Sequence, residues 1–188
     1  AEHTPAIVNA WQLGTMAGTA IADVLFGDYN PSGRLVISFP RNTGQIPVYY
    51  SMKTTGRPAS DQKYTSKYLD IPNSPLYPFG YGLSYTRFEY TELKTDKTGM
   101  GFGEPITVSV KVKNTGDRDG IEVVQLYVRD VAASVTRPAK ELKGFEKIKL
   151  LPGEEKTVKF KLTPEHLSFL DRHLEPVVEP GTFEVMIG

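Results

Sequence analysis

The second half of this chain alternates. Ile106, Val108, Val110 and Val112 stand between Thr107, Ser109, Lys111 and Lys113. A period of two sends one set of side chains into a core and the other into water, which is the signature of a half-buried strand. Residues 114–120 crowd Asn, Asp and Gly and read as a turn. A second strand is expected over 122–130, where Val124, Leu126 and Val128 alternate. A third is expected over 140–150, and Pro152-Gly153 turns the chain into a fourth over 156–162. Thr163-Pro164-Glu165 looks like a cap followed by proline at the first helical position, opening a brief helical turn. Pro180-Gly181 then turns into 182–187, with Phe183, Val185 and Ile187 alternating.

Short strands with a turn signal about every 10–12 residues predict an antiparallel β-sandwich of immunoglobulin or fibronectin type III kind. We assign it residues 88–188. The first 45 residues follow different rules. Ala6-Ile7-Val8 reads as a short buried strand. Thr15 is placed to cap a helix. Met16, Ala17, Ala20, Ile21, Val24 and Leu25 form an apolar stripe along one helix face. Gly27 suits the end of that helix and Pro31 cannot continue it. Leu35-Val36-Ile37-Ser38-Phe39 is a nearly continuous apolar strand, of the sort buried on both faces. Strand, helix and strand make one βαβ unit, which cannot bury its own stripe without further parallel strands. The expectation is a mixed fold: residues 1–45 as the remnant of an α/β sandwich domain whose other strands lie upstream of Ala1, then the β-sandwich. Between them, residues 46–87 are broken by proline and glycine yet rich in tyrosine. Disordered linkers are poor in aromatics, so a long ordered loop packed over another domain is expected.

Lys plus Arg and Asp plus Glu each number 22. That balance argues against nucleic acid or an acidic membrane surface as partner, since both reward a basic excess. There is no cysteine, hence no disulfide and no thiolate chemistry. His166 and His173 are wrongly spaced for a metal pair on one helix face, so no metal and no cofactor is expected. Gly80-Tyr81-Gly82 lacks the third glycine of a dinucleotide fingerprint and leads into strands. Hydrolysis of a glycosidic bond needs two carboxyl groups across a sugar. Asp23, Asp28, Asp61, Asp70 and Glu141 are the carboxylates to examine, and none carries the mark of a general acid. Arg57, Tyr64 and Tyr68, with Lys63 and Lys67, put cations beside aromatic rings in the long loop. They read either as a substrate-binding wall near a carbohydrate cleft or as interdomain packing. Trp11 carries the same two readings.

With those residues in hand, the chain resembles glycoside hydrolase family 3, of the periplasmic β-glucosidase type. The stretch Ala20-Ile21-Ala22-Asp23-Val24-Leu25-Phe26-Gly27-Asp28-Tyr29-Asn30-Pro31-Ser32-Gly33 carries the resemblance, with Gly44-Gln45-Ile46-Pro47, Thr55-Gly56-Arg57-Pro58 and Tyr77-Pro78-Phe79-Gly80-Tyr81-Gly82-Leu83-Ser84-Tyr85. Val123-Val124-Gln125-Leu126-Tyr127-Val128, Arg137-Pro138 and Glu141-Leu142-Lys143-Gly144-Phe145 resemble the family's fibronectin type III-like terminal domain. Gln12-Leu13-Gly14-Thr15-Met16 departs from the usual proline-glycine-acidic stretch after the tryptophan.

The resemblance implies a C-terminal fragment of a retaining, exo-acting β-glucosidase. It implies an upstream TIM-like barrel and α/β domain that hold the nucleophile and the acid/base group. No catalytic residue is therefore carried over to this chain. It implies a β-linked oligosaccharide or glucoside as substrate of the parent, and a periplasmic or secreted location. Two other readings stand beside it. One is a non-catalytic β-sandwich module that binds glycan or protein. The other is the tail of a family 3 enzyme with another specificity, such as a β-xylosidase.

Overall fold

The computed structural model describes residues 3–101 and 103–188. Helix α1 spans Ala17–Phe26. Strands β1 (Phe88–Thr95), β2 (Ile106–Asn114), β3 (Gly120–Asp130), β4 (Glu141–Leu150) and β5 (Glu155–Leu162) follow. A short helix α2 (Pro164–Leu167) leads into β6 (Phe169–Leu170), β7 (Pro176–Val177) and β8 (Phe183–Ile187).

Two three-stranded antiparallel sheets, ordered β1-β2-β5 and β4-β3-β8, form the sandwich. Val110 opposes Val158 across one sheet, and Val128 opposes Val185 across the other. The alternation seen in the sequence fixes this register, because a one-residue slip would turn every valine to solvent. Val110 and Val112 from the first sheet meet Val124, Ile148 and Leu150 from the second. Val108, Leu126, Val128, Leu162 and Leu167 continue the core. Burying each such side chain contributes about 1.5–3 kcal/mol, which makes this half a complete hydrophobic unit. Pro164 opens α2 as expected, and the Thr163 N–H donates to His166 Nδ1 at 3.1 Å. Edge strand β1 bulges between Thr91 and Lys94. There Glu92 accepts from Lys94 and Lys111, both at 2.6 Å, which blunts the edge against pairing with another chain.

Among the described residues the N-terminal part has no such core. Helix α1 forms where the apolar stripe predicts it, and Gly27 closes it at φ 83°. Met16, not Thr15, takes the N-cap position, with no side-chain cap bond. No residue of α1 is buried, and Phe26 is 82% exposed. The segment 6–8 forms no regular strand. Residues 35–39 have one bridge, Phe39 to Tyr77. The Leu35 N–H also donates to the Tyr81 carbonyl at 2.8 Å. An extended segment becomes a strand only against the N–H and C=O groups of a neighbour. Among the described residues, only the 76–81 segment offers these to 35–39. The architecture is the mixed one expected: a remnant of an α/β layer followed by an antiparallel fibronectin III-like sandwich.

Candidate functional site

Strand β3 turns Val124, Leu126 and Val128 inward, so Gln125 and Tyr127 point to the outer face of their sheet. That face is covered. Tyr50 stacks on Phe79 with ring centroids 4.2 Å apart, and meets the Tyr127 ring edge-on at 6.0 Å. Gln125 Nε2 donates to the Gly80 carbonyl at 3.1 Å, while the Tyr127 hydroxyl donates to Gln125 Oε1 at 2.7 Å. Burial pushes the Tyr127 hydroxyl up to about 12, so it remains a donor at neutral pH. Gly80 lies at φ 82°, and a Cβ there would overlap Gln125 Oε1 and the Tyr127 hydroxyl.

A second junction is charged. Arg34 Nη2 donates to Glu122 Oε2 at 2.6 Å, with side chains 12% and 7% exposed. The Tyr90 hydroxyl donates to Glu122 Oε1 at 2.9 Å. Burial, then the charge of Glu122, raises Tyr90 far above the usual phenol range. Asn30 adds a third junction. Its Nδ2 donates to the Asp119 carbonyl at 2.9 Å, and its Oδ1 accepts from Ser84 and from the Tyr85 N–H. The Tyr85 hydroxyl returns to the Val24 carbonyl of α1 at 2.6 Å. These junctions hold the 24–39 and 75–85 segments against the sandwich.

The long loop leaves and rejoins this seam. The Ala139 N–H donates to the Met52 carbonyl at 2.9 Å, and Lys53 bridges to Pro138. Beyond that point the loop is held by its own polar groups. The Ser66 N–H donates to the Arg57 carbonyl at 2.9 Å, Lys67 Nζ to the Ser60 carbonyl at 2.8 Å, and Asn73 Nδ2 to the Ser66 carbonyl at 2.7 Å. Arg57, Tyr64 and Tyr68 all lie on this loop with exposed side chains; Tyr64 is 84% exposed at φ 62°. Among the described residues no aromatic or cation–π pair joins the three. Trp11 packs obliquely on Phe39 at 6.2 Å while remaining exposed.

The carboxylates do not converge. Asp28, Asp61 and Asp70 are exposed, and Asp23 is half-buried on α1. Glu141 is paired with Arg137 at 2.7 Å and Lys143 at 3.4 Å. A cleft of about 160 Å³ between Thr54 and the 129–138 turn has one carboxylate in its lining, Asp130. Burial holds Asp130 above the usual carboxylate range against the pull of Arg137. A larger, mostly apolar cleft of about 510 Å³ lies between the 97–101 and 178–185 segments, and Glu179 is the carboxylate in its lining. Neither cleft offers two acids facing each other across a sugar.

Sequence reasoning missed Gln45, Glu122 and Gln125. One signal was available. Glu122 stands in phase with Val124, Leu126 and Val128, so it marks a charge placed inward that requires a buried partner.

A finished fibronectin III-like sandwich carrying the close of an α/β layer on its outer face defines the class of structure. Residues 1–85 match the model of the glycosyl hydrolase family 3 C-terminal domain, and residues 122–188 match the fibronectin type III-like domain. A periplasmic β-glucosidase from Salmonella typhimurium is 54% identical over the whole of this chain and 25% of its own length. A β-xylosidase from Formosa agariphila is 50% identical, again over the whole chain and 25% of its own length. The crystal structure of a β-glucosidase from Listeria innocua in complex with glucose superposes with a TM-score of 0.86 at 52% identity. That match covers 92% of this chain and 24% of the Listeria chain. The chain belongs to glycoside hydrolase family 3, in that family's C-terminal portion. It spans about a quarter of the length of the curated relatives it matches.

Proposed function

We propose that this chain is the C-terminal portion of a retaining, exo-acting β-glucosidase. The whole enzyme would remove terminal β-linked glucose from short oligosaccharides through a covalent glycosyl intermediate. The nucleophile and the acid/base group would stand in domains outside these 188 residues. The observation that carries this reading is the helix α1, which has an apolar stripe and no buried residue beside a sandwich that has completed its own core. A helix with that stripe is stable when another layer covers it. In this reading residues 1–45 end the α/β domain, 46–87 form the loop between domains, and 88–188 are the terminal sandwich. Arg57, Tyr64 and Tyr68 would approach the sugar from the loop, as donor and stacking groups. The Salmonella relative supports a periplasmic or secreted location. The Formosa relative favours a second sugar, xylose, as the alternative to glucose.

The test is turnover of a chromogenic aryl β-glucoside. The 188-residue chain alone is expected to give none, and the same chain joined to its upstream domains is expected to hydrolyse the substrate. Turnover by the chain alone would overturn the reading.

A further inference from the structure

The loop that carries Arg57, Tyr64 and Tyr68 is closed at its neck by one buried amide. Gln45 is 2% exposed, less than any other polar side chain buried before β1. Its position follows from the short 3-10 turn at Thr43–Gln45, which Asn42 caps by accepting from the Gly44 N–H at 2.9 Å. The amide holds the entering side of the neck with its oxygen and the leaving side with its nitrogen. Oε1 accepts from the Arg41 N–H at 2.6 Å. Nε2 donates to the Pro72 carbonyl at 2.9 Å and to the Ser74 carbonyl at 3.3 Å. Arg41 Nε adds a donor to the same Ser74 carbonyl at 3.0 Å. The strand of chain entering the loop and the strand leaving it thus meet at two side chains, the exposed Arg41 and the buried Gln45.

Beyond the neck and the Met52–Ala139 staple, the loop has little apolar anchoring. Leu69 is 100% exposed and Tyr64 84%. Ordering so many residues is costly in conformational entropy, and closing the ends of a loop is what limits the space it explores. A buried amide is suited to that task. It supplies a donor and an acceptor in one rigid plane, and breaking it takes the Gln45 donor from the Pro72 carbonyl and leaves the Ser74 carbonyl to Arg41 alone.

We propose that Gln45 is a positioning residue: it fixes the pose in which the loop presents Arg57, Tyr64 and Tyr68 to the sugar. This rests on the loop's role in substrate binding proposed above. Gln45 touches no substrate and acts through the neck alone.

The test uses the full-length enzyme that contains this segment, with the variant Gln45→Glu. The substitution keeps the shape and turns the donor toward Pro72 and Ser74 into a second acceptor. Hydrogen exchange within 53–71 is expected to speed up, while the amides of β2 and β3 exchange as before. The KM for an aryl β-glucoside is expected to rise about ten-fold, the scale of one lost buried hydrogen-bond set, with kcat little changed. Should Gln45→Glu give no soluble protein, Gln45→Met keeps the volume without the added charge, with the same outcomes. Unchanged exchange in the loop would overturn the proposal, as would a fall in kcat at constant KM. The triple variant Arg57→Ala/Tyr64→Ala/Tyr68→Ala separates the two levels. If it raises KM and Gln45→Glu does not, the role of Gln45 falls and the substrate-binding loop stands. If the triple variant is silent, the substrate-binding loop falls, and the role of Gln45 with it.

Discussion

Replacing Glu122 by alanine should destabilise the chain by about 3–5 kcal/mol, the usual consequence of leaving a buried charge without its partner. Arg34 and Glu122 are largely withdrawn from water, and their contact at 2.6 Å joins the 24–39 segment to the sandwich. The loss would also leave the Tyr90 hydroxyl unpaired. The attraction itself need not be large. Desolvation of both ions offsets most of it, so an apolar replacement of the whole set is tolerated better than removal of one member. The triple variant Arg34→Met/Tyr90→Phe/Glu122→Leu should therefore recover more than half of the loss. Urea unfolding of the single and triple variants measures this. A Glu122→Ala variant within about 1 kcal/mol of the parent would show that the pair carries no buried charge of consequence.

Gly80→Ala should be strongly destabilising. Two costs combine. An L residue at φ 82° is strained by about 1–2 kcal/mol. The new methyl would also displace Gln125 and Tyr127, breaking the Gln125 bond to the Gly80 carbonyl. A lost hydrogen bond adds about 1 kcal/mol, for a total of about 2–3 kcal/mol. Gly153 provides the control. It has φ 77° with open space around a Cβ, so Gly153→Ala should show the strain alone. Equal melting points for the two variants would remove the close approach of residue 80 to β3 from the argument.

The sandwich was legible because its core is written in a local period. Val108, Val110 and Val112 announce their face without help from distant residues. The strand ends were less so: β3 begins at Gly120 and β5 at Glu155, each before the apolar alternation starts. Strand β1 shows few apolar residues, being an edge with a bulge, and β6 and β7 are too short to establish a period. The segments 6–8 and 35–39 look like strands in the sequence because they are apolar and β-branched. Strandhood also requires a partner, and no local pattern states whether one is near. The loop pose was the least legible part. Gln45 reaches Pro72 across 27 residues of sequence, and a single amide that finds a distant carbonyl leaves no periodic trace.

The most direct measurement is hydrogen exchange of the α1 amides, Ala17–Phe26, in the 188-residue chain and in the longer enzyme. An uncovered amphipathic helix opens readily, whereas one packed under a second layer opens only with its domain. The expected result is rapid exchange in the short chain and strong protection in the long one, with β2 and β3 protected equally in both. Strong protection of α1 in the 188-residue chain by itself would contradict the claim that its apolar face belongs against a layer outside these residues.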